Sequence, residues 1–105
     1  MAASILHRYG DGSFVRSPSD FTALLRELDD HPEDVEHGEV SVAHEESGWC
    51  ISVHIGGYVV FEHLGDGGER HMRGVSEANI LELWTLLAAG DIATIEQESW
   101  KPGYQ

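Results

Sequence analysis

Apolar and polar residues alternate with a period of two through "EVSVAHEESGWCISVHIGGYVVFEHL", Glu39 to Leu64, with breaks at Glu45-Glu46-Ser47-Gly48 and at Gly56-Gly57. Such alternation is the mark of half-buried strands, and the breaks are turn signals, so the segment predicts three antiparallel strands in a meander. A two-residue Gly56-Gly57 link sets Ile55 opposite Tyr58, Val53 opposite Val60, Ser52 opposite Phe61 and Cys50 opposite His63. The preceding turn sets His44 opposite Trp49, Val42 opposite Ile51 and Val40 opposite Val53. Together these registers predict a core face of Val40, Val42, Trp49, Ile51, Val53, Ile55, Tyr58, Val60 and Leu64. The opposite face then carries Glu39, Ser41, Ala43, Cys50, Ser52, His54, Val59, Phe61 and His63.

The period changes on either side of the meander. In "SPSDFTALLRELDDHP", Phe21, Leu24, Leu25 and Leu28 recur at helical spacing behind Ser17 as cap, Pro18 at the first helical position and Asp20 at the third, with Pro32 as the stop. Beyond Leu64, "GDGGER" reads as a loop and "RHMRGV" as a short strand. Ser76 caps a second helix whose stripe is Ile80, Leu83, Trp84 and Leu87. Gly90 ends it, and Asp91 caps a shorter helix through Ile92 and Ile95. At the start, Ser4–Tyr9 and Ser13–Arg16 flank Gly10-Asp11-Gly12 as a hairpin. The order predicts an α+β fold: an antiparallel β-meander with helices packed on one face, in a single compact domain over residues 1–105.

Charge narrows the partners. The chain carries 19 acidic against 6 basic side chains, a net charge of −13, beyond the magnitude of about 2 to 8 that suffices for a soluble small domain. Such a surface repels nucleic acid and anionic membranes and attracts basic proteins. The charge is concentrated in Glu27, Asp29, Asp30, Glu33, Asp34, Glu36 and Glu39, with no Lys or Arg among them. No apolar run approaches the roughly 18 residues of a membrane span, and "MAASILHRYG" lacks the features of a secretory leader, so the expected location is cytoplasmic. A single cysteine, Cys50, agrees with a reducing compartment.

Catalytic and metal chemistry find little footing in the motifs. Seven histidines invite a metal site, but no H-E-x-x-H or paired-Cys spacing is present. "HPE" at His31–Glu33 matches half of the zinc deaminase signature, whose other half needs two cysteines. The glycines of "GDGGER" lack the G-K-[ST] of a phosphate loop. Cys50 and His63, cross-strand neighbours in the expected register, have no third group to orient the imidazole. The expectation is a non-enzymatic protein without cofactor or metal.

The chain closes on "ESWKPGYQ". Pro102-Gly103 fits the centre of a type II turn with Lys101 and Tyr104 as its outer residues, which folds the end back so that Trp100 and Tyr104 cover one patch. That arrangement predicts a clasp over the core, from aromatic types that also serve as binding hot spots.

"GWCISVHI", "GGYVVFEHL", "ILELWTLLAAGDI" and "WKPGY" together resemble the first-numbered family of immunity proteins from bacterial polymorphic toxin systems. The resemblance runs from about Val40 to Tyr104 and is carried by Trp49, Leu83-Trp84, Gly90-Asp91 and the Trp100–Tyr104 tail. It implies an antitoxin that binds and neutralises a cognate toxin domain, often a nucleic-acid deaminase or nuclease, with Trp49, Trp84 and Trp100 as fold residues. With Gly56, Gly57, Pro102 and Gly103, these form the expected structural set. The expected partner-binding set is Asp29, Asp30, Glu33, Asp34, Glu36, Glu39, Glu45 and Glu46, with Phe61 and Tyr104 as anchors. The rival reading is an acidic adaptor or nucleic-acid mimic that inhibits a basic DNA-binding protein.

Overall fold

A computed structural model describes residues 3–8, 10–17, 19–30 and 38–103 of the chain. Pro18, Pro32, Glu33, Asp34, Glu36 and Tyr104, and the side chain of Asp30, lie outside the described residues. The elements run β1 (Ala3–Leu6), β2 (Gly12–Phe14), α1 (Ser19–Asp30), β3 (Glu39–His44), β4 (Trp49–His54), β5 (Tyr58–His63), β6 (Gly67–Met72), α2 (Glu77–Ala88), α3 (Ile92–Glu96) and β7 (Lys101–Pro102). One antiparallel sheet takes the order β2-β1-β3-β4-β5-β6-β7. The fold is therefore α+β, with helix α1 carrying the chain from the β2 edge back to the inside of β1, and α2 and α3 leading to the opposite edge. No described helix is long and apolar enough to cross a membrane.

The helices cover one sheet face. Phe21, Leu24, Leu25 and Leu28 of α1 and Ile80, Leu83, Trp84 and Leu87 of α2 join Ile5, Val40, Val42, Ile51, Val53, Val59 and Phe61 in one buried cluster. Trp84 is fully buried, and its indole N–H donates to the Ile51 carbonyl at 3.1 Å, fixing α2 over the middle of the sheet. The helix boundaries follow their caps. The Ser76 hydroxyl accepts from Asn79 N–H. At the other end of α2, the Gly90 N–H donates to Leu87 and the Asp91 N–H to Leu86, a Schellman closure that needs the positive φ of Gly90, +77°.

The β3–β4 register is the expected one, Val42 opposite Ile51 and Val40 opposite Val53. The β4–β5 register is not. His54 pairs with Tyr58, Val53 with Val59, Ile51 with Phe61, Cys50 with Glu62 and Trp49 with His63. The turn holds three residues, Ile55, Gly56 and Gly57, closed by Gly57 N–H to the His54 carbonyl. Gly57 has φ +81° and sits so close to the Val75 backbone that a Cβ would lie 2.9 Å from its carbonyl oxygen. One extra turn residue moves each β5 side chain to the other face. Val59 and Phe61 enter the helix-covered core, Tyr58 and Val60 move to the reverse face, and Leu64 is exposed.

Candidate functional site

The acidic residues that are described lie at several surface positions. Asp29, near the end of α1, stands 3.7 Å from Arg26, which also reaches Glu77 at 3.3 Å. Glu39 lies 3.6 Å from His54, and Glu45 accepts from the Ser4 hydroxyl at 2.9 Å with exposed Glu46 beside it. The cations are more constrained. Arg8 is buried and donates to the Glu27 carbonyl at 2.7 Å. Arg70 meets Glu96 at 3.5 Å and lies over the rings of Trp49 and Phe61, while Arg73 lies over Tyr58. Four of the six basic side chains, Arg8, Arg26, Arg70 and Arg73, thus have partners within the molecule, and the net charge of −13 makes the outward field negative.

At the β7 end the core closes on aromatics. Phe61 is stacked between Trp49, at 4.5 Å, and Trp100, at 5.3 Å, and is 0% exposed. It is therefore a core residue and not the surface anchor expected from the two-residue turn. Trp100 donates its indole N–H to the Ile95 carbonyl at 2.7 Å. Beyond it, Lys101 and Pro102 pair with β6, and Gly103, at φ +74°, donates its N–H to the Glu69 carbonyl. The described part of the tail is a clasp. Among the described residues, the large apolar side chains left at the surface are Leu6, Phe14 and Leu64. Phe14, 64% exposed, pairs directly with Ser4, the residue bonded to Glu45, so an aromatic and an acid share that corner.

The expected Cys50–His63 pair does not form, because the register puts them on opposite faces. Cys50 faces Glu62, its sulfur 3.9 Å from the Ser52 hydroxyl, and burial pushes its thiol pKa up, away from thiolate reactivity. His54 and His63 also fall on opposite faces, and the described residues hold no group of three or more metal-ligating side chains.

At the β2 end three side chains come together, of which His7 and Ser13 are absent from the sequence-based candidates. His7 follows β1, Ser13 lies in β2, and Glu27 lies on the flank of the buried stripe of α1. Glu27 Oε2 is 2.5 Å from His7 Nδ1, and His7 Nε2 is 2.8 Å from Ser13 Oγ. The other carboxylate oxygen, Oε1, accepts from Arg8 N–H at 3.1 Å, which fixes the carboxyl group. His7 and Glu27 are each about one-third exposed or less. Glu27 was legible only as part of an acidic run. The signal that could have marked the trio is a Ser and a His flanking one tight hairpin, facing a Glu one position from a buried Leu on the next helix.

No protein-family model, curated protein or solved structure significantly matches the chain.

Proposed function

We propose that this chain is an immunity protein that neutralises a cognate polymorphic toxin domain, a nucleic-acid-acting deaminase or nuclease, by covering its basic substrate groove. The observation that carries the reading is the charge imbalance of −13. A groove that binds phosphates is cationic, and an anionic inhibitor meets it with complementary potential and fast, steered encounter. The resemblance of the meander, late helix and tail to immunity proteins supports the same reading, which asks for binding and no turnover.

Asp29, Asp30, Glu33, Asp34, Glu36 and Glu39 steer, and Glu45 and Glu46 seat the partner. With Phe61 buried, Phe14 beside Glu45 takes its place as the apolar anchor, and Tyr104 keeps its role as the second. The test is calorimetric titration, at two salt concentrations, against the toxin domain encoded next to this chain. Tight binding that weakens with salt is expected. Lysine at Asp29, Asp30, Glu33 and Asp34 should slow association at least about tenfold at low salt, as loss of steering does. Binding that ignores both salt and charge reversal overturns the electrostatic mechanism, and no binding overturns the immunity reading.

A further inference from the structure

We infer that Ser13, His7 and Glu27 form an acyl-transfer site for short, apolar carboxylic esters, set between the edge strand β2 and helix α1. The inference stands apart from toxin binding, since Ser13, His7 and Glu27 are not among the residues assigned to the toxin contact, and only the Phe14 position is shared. Its basis is geometric: a hydroxyl, an imidazole and a carboxylate joined in series at 2.8 and 2.5 Å, the relation of nucleophile, base and orienting group in hydrolytic triads.

The hydrogen bonds fix the tautomer. A carboxylate can only accept, so the proton between His7 and Glu27 belongs to Nδ1. In the neutral ring Nε2 then carries the lone pair and accepts from the Ser13 hydroxyl, as a general base must. Arg8 N–H on the second carboxylate oxygen holds Glu27 in place without competing for the imidazole.

The surroundings supply the remaining parts. His7 and Ser13 line a cavity of about 250 Å³ with Ile5, Phe14, Arg16, Asp20 and Ala23. That is below the roughly 300 Å³ at which drug-sized sites begin, so it suits a short acyl group against Ile5 and Ala23. An oxyanion donor follows from the ladder. The bonds of Val15 N–H to Ala3 and His7 N–H to Asp11 make Ile5–Ser13 a hydrogen-bonded pair between them. The Phe14 N–H, next to the nucleophile on the sheet edge, therefore points away from β1.

In the reaction, Ser13 Oγ bonds to the acyl carbon as its proton passes to His7 Nε2. The ester C–O bond then breaks, and the leaving alkoxide takes that proton and departs as an alcohol. Water attacks the acyl-Ser13 carbon, giving its proton to His7, and the breaking Oγ–acyl bond returns a proton to Ser13 with release of the carboxylic acid. Ser13 and His7 are the catalytic residues, and Glu27 is a positioning residue.

The test uses the full chain with p-nitrophenyl acetate and butyrate, a long-chain p-nitrophenyl laurate control, and a fluorophosphonate probe read by peptide mass spectrometry. The probe should label Ser13, and Ser13→Ala, which alters a half-exposed edge hydroxyl, should abolish labelling and lower hydrolysis at least about 100-fold. Glu27→Gln keeps an oxygen for Arg8 N–H but offers an amide N–H to His7 Nδ1, which drives the ring proton to Nε2. It should lower kcat by at least about 100-fold with KM unchanged and the far-UV spectrum intact, whereas a purely structural Glu27 would not split kcat from KM. Hydrolysis no faster than with free imidazole, labelling that survives Ser13→Ala, or laurate cleaved as well as acetate overturns the proposal.

Discussion

The two edges of the sheet are joined to the helical layer by different physics. At the β7 edge, Trp49, Phe61 and Trp100 stack in series, and Arg70 lies over two of the rings. At the β2 edge, Glu27 on α1 reaches His7, which reaches Ser13, and Arg8 donates back to the same helix. The aromatic closure gains from area removed from water, about 1.5–3 kcal/mol for a side chain like Phe61. The polar closure gains net energy bond by bond, about 0.5–1.5 kcal/mol for a neutral hydrogen bond such as His7–Ser13 and about 1.5–3 kcal/mol for one to the Glu27 carboxylate. What it provides besides is direction: each donor and acceptor is aimed, and part of the assembly remains open to solvent. Area seals a core, whereas direction prepares chemistry.

Truncation at the sealed edge should therefore be the most damaging. Phe61→Ala removes a fully buried ring with stacking partners on both sides, and should cost about 3–5 kcal/mol in urea unfolding. A loss below about 1 kcal/mol would mean that the ring is not the centre of that closure. At the open edge, Glu27→Ala strips the acceptor from His7 Nδ1 and Arg8 N–H. His7 is partly exposed and can recover water, whereas the N–H of buried Arg8 loses this acceptor, so the expected cost is about 1–3 kcal/mol. If the second loss matched the first, the two edges would not differ as described.

The same contrast explains what could be read from the chain. Strands, helices and caps follow from period and punctuation: Leu24, Leu28, Ile80, Leu83 and Trp84 lie where their spacing puts them, and Ser76, Gly90 and Asp91 bound their helices. The sequence alone does not decide the face of β5, because Val59 and Val60 are both valines and two glycines make a two-residue turn attractive. Only the close approach of Gly57 to Val75 and the burial of Phe61 decide for three residues. The trio at the β2 edge depends on how α1 rotates against a hairpin, a tertiary relation that no periodicity encodes. The acidic surface is legible as composition, whereas which acids sit beside arginines or histidines, such as Asp29 with Arg26 and Glu39 with His54, is set by the fold.

A smaller effect sharpens the comparison, because it concerns a titrating group at the open edge alone. Asp20, in the first turn of α1, lines the same cavity as Ser13 and accepts from the N–H groups of Arg16 at 2.8 Å and Ser17 at 3.3 Å. These bonds, Arg16 first, hold its carboxyl pKa below the ordinary 3.8. A folded-state pKa below the unfolded one means that the unfolded chain takes up the proton first as pH falls. The contribution is complete above 3.8 and disappears as pH drops through the lowered value. Asp20→Asn keeps an oxygen acceptor but cannot titrate. The stability gap between wild type and Asp20→Asn, from urea midpoints, should be level above about pH 5 and narrow below 3.8. The gap between wild type and Phe61→Ala should not narrow over that range, since stacked rings do not titrate. Parallel acid profiles for wild type and Asp20→Asn would show that the Arg16 and Ser17 bonds do not favour the ionised carboxylate, and would leave the open edge without this distinction from the sealed one.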